Sequence, residues 1–186
     1  SKPVTAPRAI STDPADAPHV VPSGYDRVAS TLALKPLLEA FGVDLQEVLV
    51  DTGLPLELFN HPDNLVPFRQ GSHLLGMCVD LTGCAHLGLL IGRNTPLDSL
   101  GFVADLVKAA PDVRSALKLL SRYLTLSDGG GLATLSEGTR FASYAYALYE
   151  PGVERAEVVY DIVLASIWNI LRALCGSHWL PHAVRF

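Results

Sequence analysis

The residues of this chain best suited to chemistry are four that could ligate a metal: His73, Cys78, Cys84 and His86. Imidazole and thiolate are the ligands zinc prefers, and structural zinc sites set them at short, regular spacings. The intervals here match no such pattern. A helix through this stretch also rotates His73 and Cys78 apart, so buried cysteine as a small hydrophobe is the better reading. Gly129-Gly130-Gly131 is followed by no Lys-Ser/Thr pair and sits in no GxGxxG frame, which makes it a turn and not a phosphate cradle. No GxSxG elbow presents a serine nucleophile. The sequence therefore predicts no catalytic residue, no metal site and no cofactor.

What remains is binding chemistry. Tyrosine and tryptophan join an apolar body to one hydrogen-bonding tip, which suits the wall of a small-molecule pocket. Tyr123, Tyr144, Tyr146, Tyr149 and Trp168 cluster around a strand–helix junction, and ordinary core or sheet-face packing is the competing reading for each of them. Tyr123, Tyr144, Tyr146 and Trp168 are the candidate ligand wall, with Asn169 and Arg172 as its polar corner. The competing reading sets Asn169 and Arg172 on a solvated helix edge with Glu154, Glu157 and Asp161. Asp161 and Arg172 share that edge but stand too far apart for an i,i+4 pair.

These side chains need a scaffold, and Glu150 to Gly176 supplies its centre. After Pro151-Gly152 the stretch runs to Leu174 with no further helix breaker. Val159, Val163, Ile167, Ile170 and Leu174 recur at helical steps, and Tyr160, Leu164, Trp168, Leu171 and Cys175 follow one position behind. The pattern predicts a long helix buried over more than half its surface. Before it, Phe141–Tyr149 alternates as a strand, with Tyr144, Tyr146 and Leu148 on one face and Ser143, Ala145 and Ala147 on the other. The small face suits close approach by a helix. Leu132–Ser136 is its hairpin partner.

Upstream the chain reads as short helices joined by tight turns. Lys35–Gly42, Leu45–Val50 capped by Asp44, a turn at Leu56–Phe59, a longer helix over Phe68–Leu81, an apolar segment at His86–Arg93, and helices over Leu100–Ala109 and from Pro111 onward follow in order. Ala183–Phe186 reads as the start of another strand. Residues 1–24 hold five of the thirteen prolines and read as a flexible tail; residues 25–186 read as the domain, with its C-terminal end expected to be truncated.

Composition bounds what such a domain can do. The 186 residues are 49% hydrophobic and only 18% charged, so they bury a sizeable core as one unit. A net charge of −5 with no Lys/Arg cluster argues against holding a phosphate backbone unaided. Three cysteines suggest no disulfide framework. The start lacks the apolar run of a signal peptide, and Asp161, Asn169 and Arg172 interrupt the most apolar helix. A soluble, cytoplasmic domain without membrane partners is expected.

Three stretches in order resemble a known family. They are Phe41-Gly42-Val43-Asp44 through Leu49, Thr52-Gly53-Leu54 and His61–Pro67; then Leu87–Gly92, Leu100-Gly101-Phe102 and Ala116 through Leu124; then Gly176–Phe186. Together they look like the arabinose-binding-like N-terminal effector domain of AraC/XylS-type transcription regulators. The resemblance implies an α+β domain, predominantly helical, with a small antiparallel hairpin packed on a long buried C-terminal helix. It implies a small-molecule effector of unspecified class, and DNA contact only through a helix-turn-helix domain that would follow residue 186. It transfers no ligand residue, because the matching positions are fold-defining glycines and apolar side chains. Apolar helix faces are numerous enough for a homodimer. Two other functions stay in view: an oligomerisation domain of such a regulator with no ligand, and a hydrolase, which would need a perturbed titratable pair in a cleft.

Overall fold

The computed structural model describes residues 20–185, and the statements below concern those residues. Most of the expected tail, residues 1–19, lies outside them. Its last residues already belong to the packed body: Val21 is buried, the Gly24 amide donates to the Gly129 carbonyl, and the Phe68 amide donates to the Gly24 carbonyl.

The chain opens with β1 (Tyr25–Arg27), which the sequence did not mark as a strand. Helix α1 (Leu34–Ala40) and helix α2 (Leu45–Leu49) follow, the second capped as expected by the Asp44 carboxylate, which accepts the Gln46 amide at 2.9 Å. Strand β2 (Leu65–Pro67) returns antiparallel to β1, with Asp26 opposite Val66. It leads directly into α3 (Phe68–Thr82), whose inner side carries Leu74, Leu75 and Cys78; Leu81 is exposed. Gly83, at φ 63°, ends that helix in the left-handed conformation. The apolar segment after it is helix α4 (Leu87–Arg93). The single helix expected over Leu100–Ala109 is divided at Gly101 into a 3-10 turn (Leu97–Leu100) and α5 (Phe102–Lys108). Helix α6 (Val113–Tyr123) starts just after the Pro111 expected as its first residue, and Asp112 caps it, accepting the Ser115 amide at 2.8 Å.

Strands β3 (Gly131–Glu137) and β4 (Ala142–Leu148) form the expected hairpin, with Ala133 opposite Tyr146 and Leu135 opposite Tyr144. Its orientation reverses the expectation. Tyr144, Tyr146 and Leu148 turn inward, and Ser143, Ala145 and Ala147 face solvent. The larger apolar area sits on the tyrosine face, so that face is the one worth burying. The hairpin leans on α6 and reaches the last helix, α7 (Ala156–Cys175), through side chains: the Tyr146 and Tyr160 rings meet edge to face at 6.1 Å.

Helix α7 is less enclosed than its sequence suggests. Only Val158, Val159, Ile162 and Ile170 are buried along it. The stripe expected to be inside as well, from Tyr160 through Leu164, Trp168 and Leu171 to Cys175, is partly or largely exposed. Of the arc expected to be wet, Glu154 and Glu157 are exposed, but Asp161 and Asn169 face the docked α4. By length and mean hydropathy (1.6) α7 would itself suffice to cross a bilayer, so its three polar interruptions exclude less than the sequence argument claimed. The expected strand at the end is absent from Ala183–Arg185, which pair with no neighbour, and Phe186 lies outside the described residues.

Seven α-helices and two small antiparallel sheets thus make one α+β domain among the described residues. Its interior has two centres. One gathers Val28, Leu34, Leu38, Leu75, Cys78, Leu87 and Ile91 around the first half of α7. The other gathers Val103, Val107, Leu117 and Leu120 around Ile170 in its second half.

Candidate functional site

Between those two centres lies a cavity of about 130 Å³. One wall is α7, through Val159, Val163, Ser166, Ile167 and Ile170; the opposite wall is α3, through Phe68, Gly71, Leu74 and Leu75. Leu120 and Leu124 close one end with Tyr144 of the hairpin, and Ala29 and Leu34 close another. A second, larger depression of about 850 Å³ runs along Leu32, Asp63 and Pro96–Val103 and shares only the Arg27 to Ala29 corner and the Thr95–Leu100 segment with it. The inner cavity is the better binding chamber, because it is apolar on most sides and its polar groups converge at one end.

That polar end is built by β1 and the turn before β3. The Asp26 and Asp128 backbones form an antiparallel bridge, reinforced by the Gly129 amide donating to the Tyr25 carbonyl at 2.9 Å. Asp128 Oδ1 accepts the Gly130 and Gly131 amides at 2.8 and 3.0 Å, and its Oδ2 accepts the Tyr146 hydroxyl at 2.6 Å. Asp26 Oδ1 accepts the Arg27 amide, and its Oδ2 accepts the Ser30 hydroxyl, both at 2.8 Å. The Arg27 guanidinium is committed elsewhere, to the Ser99 carbonyl at 3.1 Å and to Asp63. Among the described residues neither Asp26 nor Asp128 has a cationic partner at ion-pair distance.

The electrostatic consequence is large. Burial, and then the Asp128 charge beside it, push the Asp26 carboxyl up to about 8 against the pull of its hydrogen bonds. Burial and the Asp128 carboxylate also drive the Tyr146 phenol well above its ordinary range, so it remains a donor. Burial raises Tyr144 to about 12. The Tyr144 and Ser121 hydroxyls are both buried; they lie near one another, yet neither meets hydrogen-bond geometry with any partner among the described residues. Buried hydroxyls without a protein partner are uncommon.

The six residues expected from the sequence divide. Tyr144 and Tyr146 stand on the cavity wall. Tyr123 packs at the edge of the second core centre, with the Arg122 guanidinium 5.4 Å from its ring. Trp168 lies on the outer flank of α7, edge to face with Trp179 at 6.4 Å and 6.0 Å from the Arg172 guanidinium. Arg172 bonds the Ser177 carbonyl. Asn169 caps α4: its amide donates to the Gly92, Arg93 and Thr95 carbonyls at 3.1, 2.8 and 3.2 Å. Four of the six thus sit away from the cavity, while Asp26, Asp128 and Ser30, none of them singled out by the sequence, form its polar end. Of the four residues considered for a metal, Cys78 is fully buried in the core, its thiol pushed up to about 12 by burial, and His73 Nδ1 meets Glu154 Oε2 at 2.8 Å. No three His, Cys, Asp or Glu side chains among the described residues converge as metal ligands.

A mainly helical α+β domain enclosing an apolar chamber with one polar end belongs to the class of ligand-binding modules. The sequence matches the family model of the arabinose-binding domain of AraC transcription regulator, N-term, over residues 42–186. The chain belongs to that family, a regulatory ligand-binding domain of transcription regulators, as the three stretches of resemblance implied. Comparison with curated proteins gave no match.

Proposed function

We propose that this domain senses a small-molecule effector in the cavity between its two core centres and controls an attached helix-turn-helix DNA-binding domain. The observation that carries the reading is the cavity itself: it is apolar on the α3 and α7 walls and polar at Asp26, Asp128 and Tyr146. An effector acts by binding one arrangement of the domain better than another, and its differential affinity bounds the shift it can cause. Helix α7 can transmit such a difference, since it walls the cavity on one face and is anchored to α4 on the next.

Native mass spectrometry of the purified chain, followed by a metabolite thermal-shift panel, tests this. A retained small molecule, or a compound class that raises Tm in a concentration-dependent way, supports it. No retained mass and no shift across the panel, together with self-association, would favour the ligand-free oligomerisation domain. The partly exposed apolar flank of α7 around Leu164, Trp168 and Leu171 speaks for a homodimer in either case. In a full-length regulator, filling the cavity should uncouple promoter response from effector.

A further inference from the structure

Resting on the sensor reading above, the chemistry of the cavity narrows what it holds. Size comes first. A dry cavity of about 150 Å³ takes one benzene, so a volume of about 130 Å³ suits a ligand body of about that size. Polarity comes second. A sugar needs hydrogen-bond partners around its whole rim, and the α3 and α7 walls are almost entirely hydrocarbon.

Charge decides between the remaining classes. Two acidic side chains, Asp26 and Asp128, line one end with no cation at ion-pair distance from either; Arg27 is near enough to ease the ionisation of Asp26, but its guanidinium bonds the Ser99 carbonyl and Asp63. An anionic ligand would set its charge against Asp128 and further oppose the ionisation of Asp26. An ammonium would meet open acceptors. Of the roughly four lone-pair sites on a carboxylate, Asp26 has two taken, by Arg27 and Ser30, and Asp128 has three taken, by Gly130, Gly131 and Tyr146. The untaken sites equal the three N–H donors of an ammonium group.

We propose that the cavity takes a small primary amine of about six non-hydrogen atoms in all, with a branched or cyclic hydrocarbon body, its ammonium between Asp26 and Asp128 and its body against Phe68, Leu75, Val163 and Ile167.

Binding is coupled to a proton. The groups facing Asp26 are Asp128 from the turn, Tyr146 from β4, and Arg27 and Ser30 from its own segment; the cavity-lining residues of α3 and α7 bring no titratable side chain. Asp26, raised to about 8 in the free protein, must ionise to pair with the ammonium. Amine affinity therefore rises about tenfold per pH unit up to about 8 and levels off above.

Calorimetric titration of the chain at pH 8 with 3-methylbutylamine, 3-methylbutan-1-ol and 3-methylbutanoate separates the possibilities at nearly constant shape. The amine should bind at least tenfold more tightly than the alcohol, with no measurable binding of the carboxylate. Asp26→Asn should cut the amine-over-alcohol preference at least tenfold, whereas Asp105→Asn, an exposed carboxylate, should preserve it. The pH dependence of amine affinity in the unaltered chain gives a reading that needs no variant. Alcohol or carboxylate binding as tightly as the amine overturns the proposal and leaves the sensor reading intact. A flat pH profile, or an Asp26→Asn chain whose preference for the amine is undiminished, also overturns it. If none of the three binds and native mass spectrometry finds another retained compound, the amine proposal alone fails; if nothing is retained, the sensor reading fails with it.

Discussion

Two faces of α7 lie next to each other and are packed in opposite ways. On the face toward α4 the backbones nearly touch. A Cβ placed on Gly92 would lie 2.2 Å from the Ile162 carbonyl oxygen, and one on Gly88 would lie 2.5 Å from that of Val158. Asn169 completes the junction by holding three carbonyls at the end of α4. On the face toward α3, about a quarter turn round the helix, Val163, Ser166 and Ile167 look into the cavity. One face admits no added atom and the other has room to spare. A helix held rigidly along one side and loosely along the adjacent one can report what fills the loose side, because its anchored face fixes the axis about which it moves.

The comparison breaks most severely at Gly92. Gly92→Val should cost at least about 3 kcal/mol, since the obstacle is main chain and cannot rotate away; a thermal melt would show loss of the cooperative transition or a collapse of Tm. Asn169→Ala, which leaves three carbonyls short of a donor, should cost about 1–3 kcal/mol by denaturant titration. Neither change should be mimicked at the cavity face.

There the signs differ. An unfolded aspartate ionises near 3.8 and folded Asp26 near 8, so the folded state retains a proton that the unfolded state gives up between those values. Stability contributed by this group is therefore present at low pH and falls as pH rises from about 4 toward about 8. Asp26→Asn should remove that decline and raise stability at pH 8 on the order of 1–2 kcal/mol, a Tm gain of about 2–8 °C. Ser166→Leu, which extends hydrocarbon into the void, should be neutral to about 1 kcal/mol stabilising while abolishing any ligand-induced Tm shift. If Ser166→Leu instead destabilises as Gly92→Val does, the two faces are equally tight and the contrast is lost.

Much of the local structure was legible from residue types. Asp44 caps α2 and the Gly83 stop ends α3 because both act through neighbours a few positions away. The hairpin was legible from its alternation, but which face turned inward was misjudged: alternation separates two faces without saying which meets the core. In the long helix the polar arc was read as wet, yet Asn169 lies in it and serves α4, because a polar side chain can satisfy another helix's end as readily as it meets water. The polar end of the cavity had no local signal at all. Asp128 reads as a turn residue before glycines, and Asp26 sits in a three-residue strand too short to show a period.

Alone, the order of residues determined the helices, their caps, the hairpin, the absence of a catalytic string and the kinship with the AraC-type effector domain, since each depends on spacings within one element or on a linear series of them. Only the tertiary structure decided that α7 is glycine-tight on one side and hollow on the next, and that Asp26 and Asp128 share one buried corner. Those properties arise between segments distant in the chain, where burial and proximity set the charge and the free volume, and no periodicity encodes either.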